Sequence, residues 1–284
     1  FFEIKELTDQ KLTLTFSIGE YEFENKEGYV NINLHGSGTQ SLIGEPLLPS
    51  VSSFIELDKH SSYTIDYQVI SKKEYLNKEI IPVQNFNNNQ NQNIVKDEMV
   101  YNANNNYPKD NLYTSNRQAM RGNEFINLEL IPFTYYPNDK KLIVMEEIEI
   151  TIEKNGNINQ PLSKDFPKSK VFERLMNSMV INPSAENRTE EYQQPHVLYV
   201  CGGNLSSNYY FNQLTKWRQK QGYKVTVVST SETGTSATNV KNYLEDTMDW
   251  DNPPEFVNLV GDVGGSFNIG SFTEYESGYN GEGD

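Results

Sequence analysis

The 284-residue chain holds a single cysteine, Cys201, and three histidines, His35, His60 and His196. One cysteine excludes an internal disulfide framework and any zinc site built on several thiolates. Positive charge is also scarce: 24 Lys plus Arg face 39 Asp plus Glu, a net charge of −15. Such a balance argues against nucleic acid or an anionic membrane as partner, since both need a basic surface. It fits a soluble protein working outside the cell. No run of about 18 apolar residues exists, so no segment reads as a membrane-spanning helix. The opening "FFEIKEL" carries neither Met nor a signal-like segment, as expected of a mature or trimmed chain, and it is compatible with a signal peptide already removed.

Familiar ligand motifs are missing too. "GDVGG" (261–265) lacks the Lys-Ser/Thr of a phosphate loop and precedes no capped helix. Asp262 within it reads as a loop-capping residue rather than a catalyst. The acidic, glycine-rich "TEYESGYNGEGD" (273–284) offers oxygen ligands for calcium, but without EF-hand spacing it reads as a solvated loop.

What is present falls into two halves. Up to about residue 160 the pattern alternates with period two. Leu12, Leu14, Phe16 and Ile18 share one face, as do Val30, Ile32 and Leu34, then Tyr63, Ile65, Tyr67 and Val69, then Ile148, Ile150 and Ile152. Such alternation buries one face and wets the other, and several such strands predict a β-sandwich or barrel. The polar tract "NFNNNQNQN" (85–93) has almost nothing to bury and is expected to be a loop or disordered. Residues 165–182 predict a short amphipathic helix with Phe172, Leu175, Met176 and Met179 inward. The polar stretch that follows, closed by Pro195, is the best linker candidate.

Beyond the linker the grammar changes. "HVLYVCGG" is a continuous apolar strand. A helix follows, with Ser206 or Ser207 as N-cap, an inward stripe of Tyr210, Leu214 and Trp217, and Gly222 as its C-terminal glycine. "YKVTVVST" is a second strand, 236–250 a second helix with Val240, Tyr243, Leu244 and Met248 inward, and "PEFVNLVGDV" a third strand. A β-α-β-α-β order with short connections predicts a parallel sheet flanked by helices, whose ligands bind beyond the strands' carboxyl ends. Those ends are 201–204, 229–232 and 262–265.

Cys201 and His196 raise the question of a catalytic dyad. Five positions apart on one strand, they point to opposite faces and lie about 16 Å apart. A nucleophile and its base must approach to roughly 3 Å. The pair is therefore not a dyad, and Cys201 reads as a buried apolar residue at a strand end. The apolar third strand and the Gly- and Ser-rich 264–284 imply that more polypeptide, or a second chain, completes the sheet.

"LTKWRQKQGYKVTVVST" and "PEFVNLVGDV" resemble the opening of the gingipain-type cysteine peptidase domain. "GEPLLPSVSSFIEL" (44–57), "MRGNEFINLELIPFTYYPNDKKLIVMEEIEITIE" (120–153) and "VFERLMNSMVIN" (171–182) are similar, in order, to that family's propeptide. The resemblance implies a β-sandwich propeptide over 1–188, with its linker, and the first part of a caspase-like α/β peptidase domain over 189–284. It further implies a secreted or cell-surface bacterial precursor of a cysteine endopeptidase, a thiol protease, whose prodomain assists folding and blocks the cleft. The substrate would be a protein or peptide. The family's His–Gly and nucleophilic Cys follow the strands after "LVGDV", so neither lies in this chain and these 284 residues are expected to be inactive. Activation is expected by a cut between Arg188 and Thr189. Lys109 and Arg117 are candidates to enter the specificity pocket, and Asp262 would stand at the cleft rim. No cofactor is required; calcium fits a secreted peptidase of this family, with no ligand set named. Two other readings stay open: a non-catalytic or sortase-like cell-surface relative, and a β-sandwich protein that binds carbohydrate or another partner.

Overall fold

The computed structural model describes residues 1–39, 41–84, 94–183, 191–276 and 279–283, with side-chain burial given up to residue 273. The polar tract 85–93 lies outside the described residues. The chain divides into a β unit, Phe1–Asp165 with Met176–Ala185, and an α/β unit, Phe166–Leu175 with Glu186–Asp284.

The β unit comprises β1 (Phe2–Leu7), β2 (Lys11–Ser17), β3 (Tyr21–Lys26), β4 (Tyr29–Leu34), β5 (Val51–Leu57), β6 (Ser61–Tyr75), the single turn α1 (Glu98–Tyr101), β7 (Leu112–Thr114), β8 (Gln118–Met120), β9 (Asn123–Leu130), β10 (Phe133–Tyr136) and β11 (Lys141–Asn157). The long β11 is the spine of the larger sheet. β2 and β10 pair end to end along one side of it, β6 along the other, and β1 pairs β2, all antiparallel. The second sheet is centred on β9, with β5 on one side and β7 and β8 on the other. Both sheets feed one apolar core: Leu14, Phe16, Ile148 and Ile150 from the first meet Ile55, Leu128 and Leu130 from the second, all at zero exposure. Each such side chain contributes about 1.5–3 kcal/mol of burial. The alternation of β2, β4 and β11 is the cause, because period two delivers every second residue to this core. On β6 the pattern is looser. Ile65 and Val69 are half-buried, and Tyr67 is 40 % exposed.

β9 alternates the other way as well. Phe125 faces away from the shared core and meets Phe54, Met176 and Val180, so the far side of the second sheet is covered by the end of α2 (Lys170–Met179). That helix is shorter than the 165–182 expected. Met176 is buried, whereas Leu175 is 42 % exposed. The Arg-Gly of the propeptide-like motif is a hairpin turn: Arg121 (φ 48°) and Gly122 (φ 90°) join β8 to β9, and two consecutive positive φ values are what a tight type I′ hairpin demands.

The α/β unit continues with β12 (His196–Cys201), α3 (Tyr209–Lys220), β13 (Lys224–Ser229), a short α4 (Thr230–Thr233), α5 (Ala237–Thr247), β14 (Phe256–Val260) and a hairpin of β15 (Phe272–Glu276) and β16 (Tyr279–Gly283). The sheet order is β13-β12-β14 and both pairings are parallel. α5 starts at the Ser236 cap and turns Val240, Tyr243 and Leu244 inward, as the periodicity predicts. Gly222 follows α3 with φ 93°, as expected of its terminal glycine.

The inward face of α3 differs from the expectation. A single 3-10 turn over Leu205–Ser207 delays the helix, and Asn208 rather than Ser206 or Ser207 is its cap, its Oδ1 accepting from the amides of Tyr210 (2.9 Å) and Phe211 (3.3 Å). Phe211 and Thr215 then face the sheet, while Tyr210, Leu214 and Trp217 are 80 %, 41 % and 51 % exposed. Each residue of phase turns a helix by about 100°. Residues 209, 210, 211, 214 and 217 are all apolar, so periodicity alone allowed either stripe.

Candidate functional site

β12 is the buried centre of the parallel sheet, and its side chains part cleanly. Val197, Tyr199 and Cys201 join Phe211 on the α3 face; Leu198 and Val200 join Val240 on the α5 face. His196 has the parity of the second set. It is fully buried, its Nδ1 lies 2.8 Å from the Asn252 carbonyl and its Nε2 2.9 Å from Thr226 Oγ1. A carbonyl only accepts, so Nδ1 carries the proton and Nε2 accepts from the threonine hydroxyl. The ring stacks on Trp250 at 6.0 Å. His196 is thus a structural fastener at the amino end of the strand, and Cys201 sits at the other end on the other face. His35 and His60 are exposed residues of the β unit.

Cys201 is fully buried, and burial pushes its thiol up to about 11. With a thiolate so disfavoured, we expect iodoacetamide to leave Cys201 unmodified in the native protein at pH 8 and to alkylate it after unfolding, read by intact mass. Rapid native labelling would overturn this.

The carboxyl ends of the strands are covered by the following loop. Gly202, Gly203 and Gly261 lie so close to residues 266–267 that a Cβ on them would come within 2.0, 2.3 and 2.5 Å of a backbone oxygen. The Asp262 amide donates to Phe267 O (3.1 Å), the Ile269 amide to Asp262 O (2.8 Å) and the Gly270 amide to Thr235 O (2.7 Å). Asp262 itself is exposed and its Oδ1 accepts from the Val263 amide at 2.8 Å, the loop-capping bond expected of it. The signal for this cover was in the sequence as four glycines, at 202, 203, 261 and 270, whose use only the fold reveals.

Beside this end, a groove of roughly 700 Å³ runs between α5 and β14, lined by Leu244, Met248, Leu259, Val263 and Phe272. The outer side of β14 pairs with no strand among the described residues, and Phe256, Val257 and Leu259 are 39 %, 44 % and 57 % exposed.

Of the remaining expected site residues, Arg188 and Thr189 lie outside the described residues. Lys109 is exposed, follows the cis Tyr107–Pro108 bond and, among the described residues, enters no ion pair. Arg117 is engaged inside the β unit. It pairs with the fully buried Glu124 carboxylate at 2.7 Å, donates to the Ser61 and Asp58 carbonyls and lies over the Tyr63 ring. Among the described residues, no group of three or more His, Cys, Asp and Glu side chains is placed to hold a metal ion. The tail placed under the calcium expectation, 273–284, lies largely beyond the described side chains. No helix among the described residues is long and apolar enough to cross a membrane.

Apart from residues 166–175, which lie in the α/β unit but within the first match, the two units follow two family signatures. The model described as Propeptide_C25 matches residues 8–189 and that of Peptidase family C25 matches 190–272. The chain therefore belongs to the C25 family of gingipain-type cysteine peptidases, and it holds the propeptide followed by the start of the peptidase domain. Among solved structures it is similar to the "Complex of Porphyromonas gingivalis RgpB pro- and mature domains", with 16 % identity, a TM-score of 0.54, and coverage of 65 % of this chain and 98 % of that one. The structure of gingipain K from the same organism, titled for its zymogenic latency, matches with 16 % identity, a TM-score of 0.46, and coverage of 55 % of this chain and 93 % of that one. No curated protein matches.

Proposed function

We propose that these residues form a latent precursor portion of a secreted, bacterial cysteine endopeptidase. The β unit is a β-sandwich prodomain, bounded at about residue 188, that assists folding and occludes the cleft. The α/β unit is the opening of a caspase-like domain. What carries the reading is the join between the two family signatures. They meet at 189/190, one residue past Arg188, in the polar linker. A cut after Arg188 severs the chain between prodomain and peptidase part, one residue before that join.

The nucleophilic thiolate and its imidazole partner come from polypeptide outside these residues, because Cys201 is buried and His196 is turned away from it. The thiolate attacks the peptide carbonyl, the imidazole passes a proton to the leaving amine, and water hydrolyses the acyl-enzyme. The same missing polypeptide covers the exposed side chains of β14 and fills the groove beside α5, since an uncovered apolar edge invites unwanted pairing. The cleft opens beside the loop-covered carboxyl ends of the strands, with the exposed Asp262 at its rim. Lys109, exposed and without an ion pair among the described residues, suits an occluding side chain better than Arg117, which is held by Glu124. Calcium remains a family-level expectation.

The test is Arg188→Ala in the complete precursor. Conversion to the mature form should stop, read by electrophoresis over time; unchanged processing removes the assignment. The 284-residue chain alone should hydrolyse no Arg- or Lys-containing peptide, and turnover by it would overturn the placement of the catalytic pair elsewhere.

A further inference from the structure

The face of α3 turned away from the sheet is both apolar and basic. Phe211 and Thr215 are buried, and Phe211 packs in one cluster with Leu205, Val225 and Val227. At about 100° per residue, Tyr210, Leu214 and Trp217 fall in one outer stripe, and Gln213, Lys216 and Lys220 in the next. The first three are 80 %, 41 % and 51 % exposed, and Tyr209 beside them is 68 % exposed. Tyr209 and Tyr210 stand edge to face at 5.4 Å, and the Arg218 guanidinium lies 5.0 Å from the centre of the Trp217 ring. Exposed apolar side chains scattered singly are ordinary, whereas four on one short helix form a patch.

The charge here has one sign. The chain carries −15, yet residues 192–231 hold no Asp or Glu and four bases, Lys216, Arg218, Lys220 and Lys224. The elements that α3 chiefly packs against, β13 and the turn over Leu205–Ser207, supply no carboxylate. Among the described residues none of these four bases enters an ion pair, whereas Lys5, Lys11, Lys96, Arg117, Lys140 and Lys154 all do. A surface brought against α3 feels the charges within a Debye length, about 10 Å at 0.1 M salt. Within that reach, α3 and the elements under it offer only bases. The whole-chain excess of acid therefore does not govern this face.

We propose that the outer face of α3 docks on an anionic lipid surface. Tyr210, Leu214 and Trp217 enter the headgroup layer, where aromatic side chains keep an apolar ring dry and a polar edge wet. Lys216 and Lys220 face the lipid phosphates. Aromatic and aliphatic residues on one flank and lysines on the other are the pattern of a helix lying in the plane of the interface. The helix stays seated on the sheet through Phe211, so docking needs no unfolding. An acidic polypeptide would meet the lysines, but it would also have to bring apolar partners for four exposed side chains. A lipid surface presents phosphate and hydrocarbon together. Nothing in this docking depends on the peptidase reading.

The test sediments the 284-residue chain with vesicles of phosphatidylcholine alone and of a phosphatidylcholine–phosphatidylglycerol mixture. The chain should bind the mixed vesicles at least about tenfold more tightly than the neutral ones and should dissociate as salt is raised. Brominated lipid should quench tryptophan fluorescence, and Trp217→Phe should abolish most of that quenching, because Trp250 is stacked on His196. Lys216→Glu with Lys220→Glu should weaken binding by about tenfold or more, with circular dichroism checking the fold. If that pair fails to fold, Lys216→Gln with Lys220→Gln decides. Lys241→Glu, on α5, is the control and should leave binding unchanged. Absence of binding, equal binding to neutral vesicles, indifference to the lysine variants, or preference for poly-glutamate over the mixed vesicles would each overturn the proposal.

Discussion

Gly202→Ala is expected to destabilise the α/β unit by about 3 kcal/mol, the cost of forcing extra volume into a packed site. An added Cβ would stand 2.0 Å from the Phe267 carbonyl oxygen, 2.5 Å from its carbon and 3.1 Å from its Cα. All three are backbone atoms, so no rotamer change relieves the contact. The loop has to lift from the strand ends, breaking the Asp262 and Phe267 pairing at 3.1 Å and the Ile269 and Asp262 pairing at 2.8 Å. Ile269, 6 % exposed against Leu198 and Val200, would be drawn out with it. For a unit of this size such a loss lowers Tm by roughly 12–24 °C. Calorimetry of the whole chain should show the α/β transition moving and the β transition fixed. Gly264→Ala is the control: nothing lies within 4 Å of its added Cβ, and the change should stay within about 0.5 kcal/mol. A Gly202→Ala protein that unfolds like its parent would mean that the loop does not rest on the strand ends.

The elements legible in the sequence are those set by local periodicity. β2, β4 and β11 declared their buried faces because each has one wet and one dry side. Parity alone separated Cys201 from His196, and the two apolar clusters on either side of β12 bear that out. α3 defeated the same reasoning because apolar residues fill two adjacent stripes, and a capping side chain at Asn208 chose between them. The β15–β16 hairpin went unread because its strands, FTEYE and YNGEG, are rich in Glu and Gly and show no apolar alternation. Contacts between distant segments left no local trace at all. Lys168 with Gln193, or Gly202 with Phe267, follow from the fold and not from spacing. Arg117 shows the same limit. As a basic residue in a loop it suited an inhibitory role, and only the buried carboxylate beside it reveals its employment within the β unit.

Arg117→Ala should cost the β unit about 3 kcal/mol, because it strands a buried charge. The Glu124 side chain is fully buried, and its carboxylate takes three partners: Arg117 Nη1 at 2.7 Å and the amides of Leu162 (2.7 Å) and Ser163 (3.2 Å). The two amides draw the segment after β11 onto β9; the guanidinium supplies the compensating charge. It also ties β9 to the turn before β6 through its bonds to the Asp58 and Ser61 carbonyls. Removing the arginine leaves a desolvated anion with two neutral donors. The second substitution discriminates between lost charge balance and lost packing. In the Arg117→Ala background, Glu124→Gln removes the charge while Oε1 still accepts from the two amides, so the double variant should be more stable than Arg117→Ala alone. A pure packing role predicts the opposite, since the two losses would then add. Denaturant unfolding of the four proteins of this cycle measures the coupling, expected at about 1–3 kcal/mol. A value near zero would free Arg117 from Glu124 and return it to the candidates for the inhibitory loop.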